Sequence, residues 1–180
     1  MQNKRGISQA FGAAEVGRLT RRATVFDVFD ISRVLCSSIR DLCGADHLDD
    51  PTALQDWLHN KTPEHIRDWL GDPGEIWVIE VDGHLAAVGG IGPLAGREGL
   101  ITLNYVSPEF RFQGLSNTLL THLEARLVTL GAEFARLEAT QTARGFYVAR
   151  GWKTDSTPCG KGRSQCQSMV KRLSRAPDTA

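Results

Sequence analysis

Two periods of hydrophobic residues run along this chain. Between Asp27 and Asp41, Val28, Ile31, Val34 and Leu35 recur at close to helical spacing, with Leu42 just beyond. Asp50-Pro51 opens a shorter helix holding Leu54, Trp57 and Leu58. Thr62 is placed to cap another, with Pro63 at its first position and Ile66, Trp69 and Leu70 inside. A β-prone stretch at Arg18–Thr24 precedes them. From Glu75 onward the pattern is that of strands: Glu75–Val81, His84–Ile91 across an Asp82-Gly83 turn, then Leu100–Val106. Helical spacing returns from Gly114 to Leu130, where Leu115, Leu119, Leu120, Leu123, Leu127 and Leu130 share one side and Gly131 stands at the C-cap. Phe134–Thr140 predicts a strand, Thr142–Arg150 a helix closed by Gly151, and Trp152 onward and Ser164–Leu173 two last strands. A hairpin feeding a strand-helix-strand unit implies a mixed α/β sheet. The expected division is a flexible polar tail over residues 1–16 and one domain over 17–175.

Composition narrows the classes. The 180 residues suffice for one domain, with 41% apolar and 23% charged positions. Lys plus Arg and Asp plus Glu both number 21. That balance argues against a nucleic-acid binder relying on a basic face. The longest uncharged runs are too short and Gly-rich to span a bilayer, and the N-terminus lacks a signal-type apolar core, so a cytoplasmic protein is expected. Cys36, Cys43, Cys159 and Cys166 form no CxxC pair, so no metal is expected and free thiols are the first reading. Cys159 and Cys166 flank a Gly-rich turn where they could face each other, though a cytosolic disulfide is uncommon.

The chemistry concentrates in Val106-Ser107-Pro108-Glu109-Phe110-Arg111-Phe112-Gln113-Gly114-Leu115-Ser116. A strand ends at a Pro, a short loop with Arg and Gly follows, and a helix begins. The first amides of a helix have no intrahelical partner and sit at the positive end of its dipole, so they suit phosphate. The stretch resembles the acetyl-coenzyme A loop of the GCN5-related N-acetyltransferases (GNAT), with Arg111, Gly114 and Ser116 in the family's pattern after Val106 and Pro108. A second stretch, Ala143-Arg144-Gly145-Phe146-Tyr147-Val148-Ala149-Arg150-Gly151-Trp152, is similar to the family's aromatic helix.

The resemblance implies the acyl-CoA N-acyltransferase fold, a mostly antiparallel sheet flanked by helices, and makes 17–175 a single N-acetyltransferase domain. It implies that the amides of Phe112, Gln113, Gly114, Leu115 and Ser116 hold the diphosphate of acetyl-CoA, with Arg111 adding charge. The backbone at Asn104, Tyr105 and Val106 would pair with the pantetheine amides. Thr140 stands where the family often has an Asn that contacts the cofactor. Tyr147 is the candidate acid for the departing thiolate.

No base is identified: Leu100 falls where some members carry Glu, Glu98 is near it, and His84 reads as a surface residue. Asp46, His47 and Asp49 lie in an acidic segment that could attract a cationic amine, the alternative being a solvated loop. Trp57, Trp69 and Trp77 are expected in the core. The partners implied are acetyl-CoA and an amine acceptor, without nucleic acid or membrane, and with a homodimer left open. The expected activity is acetyl transfer to a primary amine of a small molecule or peptide by direct attack in a ternary complex. A non-catalytic acyl-CoA-binding or sensor domain is the alternative.

Overall fold

The computed structural model describes residues 17–159 and 166–174. The tail read over Met1 to Val16, the start of the strand expected from Ser164, and the glycines Gly160 and Gly162 lie outside the described residues. The elements run β1 (Arg18–Arg22), a 3₁₀ turn (Val25–Asp27), α1 (Val28–Leu42), α2 (Gly44–His47), α3 (Pro51–Leu58), α4 (Pro63–Gly71), β2 (Glu75–Val81), β3 (His84–Ile91) and β4 (Glu98–Val106). A 3₁₀ turn at Pro108–Phe110 leads to α5 (Leu115–Thr129), β5 (Phe134–Ala139), α6 (Gln141–Val148), β6 (Lys153–Thr154) and β7 (Gln167–Arg172).

Local chemistry explains most boundaries. Thr24 and Asp27 form a reciprocal capping box where the chain turns into α1. Asp50 accepts from the Thr52 amide and Thr62 from the His65 amide, each ahead of a Pro at the start of the helix. The single-turn helix α2 was not foreseen from the sequence, because four residues carry no period.

The strands form one sheet in the order β1-β2-β3-β4-β5-β7-β6, with β4 and β5 as its parallel neighbours and the other pairs antiparallel. One face packs against α1 and α4 through Val28, Ile31, Val34, Leu35, Ile66, Val78 and Val88. The other packs against α5 through Ile101, Leu119, Leu123, Leu127, Ala135 and Leu137. This is a mixed α/β fold of the acyltransferase type that the two motifs imply.

Trp69 and Trp77 are half-buried and pack against the two core clusters as expected, Trp57 is half-buried outside them, and the fully buried tryptophan is Trp152, at 2% exposure. An indole N–H needs a partner: that of Trp77 donates to Glu75 at 2.9 Å, which holds the ring toward the edge of the core. The expectation of free thiols is corrected at one pair: Cys159 and Cys166 are joined as a disulfide with Cα atoms 6.2 Å apart, while Cys36 and Cys43 are not disulfide-bonded. No helix among the described residues is long and apolar enough to cross a membrane.

Candidate active site

The site begins where the sheet comes apart. β4 pairs with β5 only at Glu98–Phe134, Gly99–Ala135 and Leu100–Arg136. Beyond that point β4 keeps its partner on the other side, since Leu103 to Val106 pair with Gly90 to Ala87. β5 likewise keeps β7 through Ala139. The edges that face each other past Leu100 and Arg136 therefore carry unpaired backbone donors and acceptors, the template onto which an extended amide-bearing chain adds. A register shift against Gly90 and Ile91 makes Thr102 an extra residue in β4, a bulge at the point of divergence. A cleft of about 530 Å³ occupies the gap.

The loop ahead of α5 lines the cleft with the geometry of an anion cradle. After the turn at Pro108–Phe110, Phe112 takes a φ of 61° with its ring 93% exposed, and Gly114 takes a φ of 77° as the N-cap of α5. A left-handed cap costs an L residue roughly 1–2 kcal/mol, and glycine avoids that cost. A Cβ added at Gly114 would meet nothing within 4 Å, so the loop leaves open space above it. The amides of Leu115 and Ser116, which open α5, lack intrahelical acceptors by position. Two cations stand here. The Arg111 guanidinium lies 4.7 Å from the Phe112 ring centre. Arg150 stacks 3.7 Å over Phe146 and donates to Asn117 at 2.6 Å and to the Phe146 carbonyl at 2.9 Å.

A buried phenol and a carboxylate also line the cleft. Tyr147, on α6, is 7% exposed, with its ring edge-on to Phe146 and Trp152. Asn104 on β4 donates its amide N–H to the Tyr147 oxygen at 3.4 Å, and the Asn104 carbonyl oxygen is buried without a partner. Burial pushes the phenol's pKa up to about 12 despite the Asn104 hydrogen bond, so Tyr147 stays protonated at neutral pH. Glu138, on β5 across the divergence, is the one carboxylate among the described residues that line the cleft. The cleft wall therefore carries two arginines and one carboxylate among the described residues.

The N-terminus of α6 is fastened twice. Thr140 accepts from the Ala143 amide at 3.1 Å. Asp46, arriving from α2, accepts from the Gln141 amide at 2.5 Å and the Thr142 hydroxyl at 2.6 Å. Asp46 thus ties the helical layer to α6.

Of the residues selected from the sequence, Asn104, Tyr105, Val106, Arg111, Phe112, Gly114, Leu115, Ser116, Thr140 and Tyr147 all border the cleft. Gln113 lies within the same loop without bordering it. Asp46, His47 and Asp49 are not on its wall. Asp46 is engaged at α6, His47 is 5% exposed with neither ring nitrogen hydrogen-bonded, and Asp49 is exposed with a φ of 52°. Glu98 is paired with Arg136 at 3.0 Å, and His84 is at the surface as read. Glu138 and Arg150 were missed. Strand alternation about the apolar Leu137 would have put Glu138 on the opposite face, but only the divergence of β4 and β5 turns that face into a cleft wall.

The family model of the acetyltransferase (GNAT) domain matches residues 48–173. The chain belongs to the GNAT acetyltransferase family. Solved GNAT structures share its fold at low identity. The PaiA N-acetyltransferase of Thermoplasma acidophilum, in complex with coenzyme A, is 18% identical with a TM-score of 0.72, over 87% of this chain and 99% of that one. A GCN5-related N-acetyltransferase of Rhodopseudomonas palustris is 19% identical with a TM-score of 0.74, over 90% and 100%. The ribosomal-protein-S18-alanine N-acetyltransferase of Escherichia coli is 17% identical with a TM-score of 0.64, over 91% and 99%. No curated protein sequence matches the chain significantly. A GNAT domain is an acyltransferase scaffold.

Proposed function

We propose that this GNAT domain transfers the acetyl group of acetyl-CoA to a primary amine of a small molecule or peptide, by direct attack in a ternary complex. The observation that carries the reading is the pair of unpaired strand edges past Leu100 and Arg136, ending at the Arg111–Ser116 cradle. The amides of Phe112 to Ser116 hold the diphosphate, with Arg111 and Arg150 supplying charge. The pantetheine arm lies between β4 and β5 and pairs with the backbone from Asn104 to Val106. Thr140 contacts the arm with whatever hydrogen-bonding capacity its cap leaves. The three solved structures named above are N-acetyltransferases by name, and one of them is in complex with coenzyme A.

The amine reaches the thioester from the Glu138 side. Its ammonium form is attracted there, and Glu138 takes the proton that must leave before or during attack. Tyr147 faces the sulfur. A phenol at about 12 cannot readily hand its proton to a thiolate whose own pKa is ~8.5. Tyr147 therefore stabilises the departing sulfur as a hydrogen-bond donor. The cleft contributes positioning, which can supply ~7–11 kcal/mol of the barrier in a reaction of two bound substrates.

The test is release of free coenzyme A thiol over a panel of amines. Amine-dependent release supports the reading. Tight acetyl-CoA binding with no release over the panel overturns it in favour of a sensor domain.

A further inference from the structure

The polar face of β5 has a second feature, unrelated to the transfer motifs. One carboxylate oxygen of Glu138 and the sulfurs of Cys159 and Cys166 all lie within 4.8 Å of one another, and all three residues are half-buried. They arrive from different places. Glu138 pairs with Ser168 in the β5–β7 ladder, Cys166 directly precedes β7, and Cys159 follows β6 by a few residues. The β6–β7 pairing at Thr154–Met169 holds the two cysteine-bearing segments side by side. The fold thus converges two soft donors and one hard donor without any short-spaced cysteine motif.

We infer that the reduced Cys159–Cys166 pair, together with Glu138, is a binding site for a single Zn²⁺ ion. The disulfide state cannot take the metal. A dithiol reductant delivers two electrons and two protons to the disulfide, leaving as its own disulfide and giving two thiols. Zn²⁺ then displaces both thiol protons and bonds both sulfurs and the carboxylate. Zinc favours thiolate, imidazole and carboxylate ligands, with sulfur at ~2.3 Å and oxygen at ~2.0–2.2 Å. A tetrahedron with those bonds sets its donors a little under 4 Å apart, a spacing side-chain rotation reaches once the disulfide opens. Two thiolates beside a carboxylate repel one another, and a divalent cation relieves that repulsion. Three protein ligands leave a fourth position for a water.

Metal binding stands apart from the proposed activity. Its consequence rests on that reading: zinc that claims Glu138 removes the carboxylate from the amine, so the reduced, zinc-loaded protein is the inhibited form.

The test titrates Zn²⁺ alone into the full chain against a chromogenic chelator, after reduction and again after oxidation. Reduced wild type should take one Zn²⁺ per chain and oxidised wild type at least tenfold less. Cys159→Ser and Cys166→Ser should each lose the binding, Glu138→Gln should weaken it, and both serine variants should retain acetyl transfer in metal-free buffer. Reduced wild type that binds no better than the double variant Cys159→Ser/Cys166→Ser overturns the site. Product formation read by mass spectrometry separates the two proposals. One equivalent of Zn²⁺ should suppress most transfer by reduced wild type and leave the serine variants unaffected. Zinc bound without inhibition keeps the metal site and refutes the role of Glu138 in transfer.

Discussion

Strands β1 to β4 form one continuous antiparallel meander, each strand paired along most of its length. Strands β5, β7 and β6 form a second antiparallel set, and the two sets meet at only three residue pairs. The central strands of the first set, β2 and β3, are apolar on both faces, under α1 and α4 on one side and α5 on the other. The second is apolar on one face only, through Ala135, Leu137, Ala139 and Met169, and its other face carries Arg136, Glu138 and Ser168. The backbone ladder does little to join the sets, so side chains do it. Arg136 reaches Glu98 on β4 and Asp155 beyond β6, bridging both. Glu124 on α5 accepts from the Trp152 indole at 2.9 Å and from Lys171 on β7 at 2.6 Å. The lesson is that the seam is held shut at one end by charge and packing so that it can stand open at the other.

The largest effect expected from breaking this contrast is at the open end. Gly114→Glu places bulk and negative charge in the space above the cradle. It should weaken acetyl-CoA binding by at least a hundredfold in calorimetry while the protein stays folded. Gly114→Ala should lose much less, through the strain of a φ of 77° alone. Equal affinity in wild type and Gly114→Glu would remove the diphosphate from this loop.

Next is Tyr147→Phe, which removes only the hydroxyl. A hydrogen bond to a charged group is worth ~1.5–3 kcal/mol, so turnover should fall about 10- to 150-fold with cofactor affinity nearly intact. Because burial holds the phenol near 12, its deprotonation lies far above neutrality, and the pH–rate profiles of wild type and variant should share one shape below about pH 11. A basic limb near neutrality that disappears in Tyr147→Phe would contradict this.

The closed end is tested by Gly99→Val. A Cβ at Gly99 would collide with the side chain of Leu127 on α5, right beside the pairing with Ala135. Overpacking of this kind costs ~1–3 kcal/mol, visible as a drop of several degrees in Tm. Unchanged Tm would mean that the seam is not tightly packed against α5.

The smallest effect is at Asp46. Its contacts with Gln141 and Thr142 are those of a helix cap, and Asp46→Ala should cost ~0.5–2 kcal/mol of stability. Asp46→Asn retains an accepting oxygen and should stay near wild type in the acceptor's KM. A selective rise of that KM in Asp46→Asn would instead make Asp46 an amine-binding group.

The same contrast explains what the sequence made legible. The meander and its helices follow from period, caps and turns: Thr62-Pro63, Asp82-Gly83 and the leucines of α5 each carry a local physical signal. The cradle and Tyr147 were readable because a family-like motif spans them. Glu138 was not, since a charged residue in a short strand reads as solvent-facing until a neighbouring strand diverges. Asp46 was selected for its charge, yet its partners lie about a hundred positions further along, a distance that no local pattern encodes. The disulfide was weighed down by redox compartment, whereas the β6–β7 pairing places Cys159 and Cys166 together through tertiary structure.

Hydrogen exchange in the presence and absence of acetyl-CoA tests the central claim most directly. If the open seam holds the cofactor, amides from Leu103 to Val106, Leu137 to Ala139 and Phe112 to Ser116 should gain protection, while those of β1 and β2 stay unchanged. Saturating acetyl-CoA that leaves β4 and β5 unprotected would place the cofactor elsewhere and contradict the account.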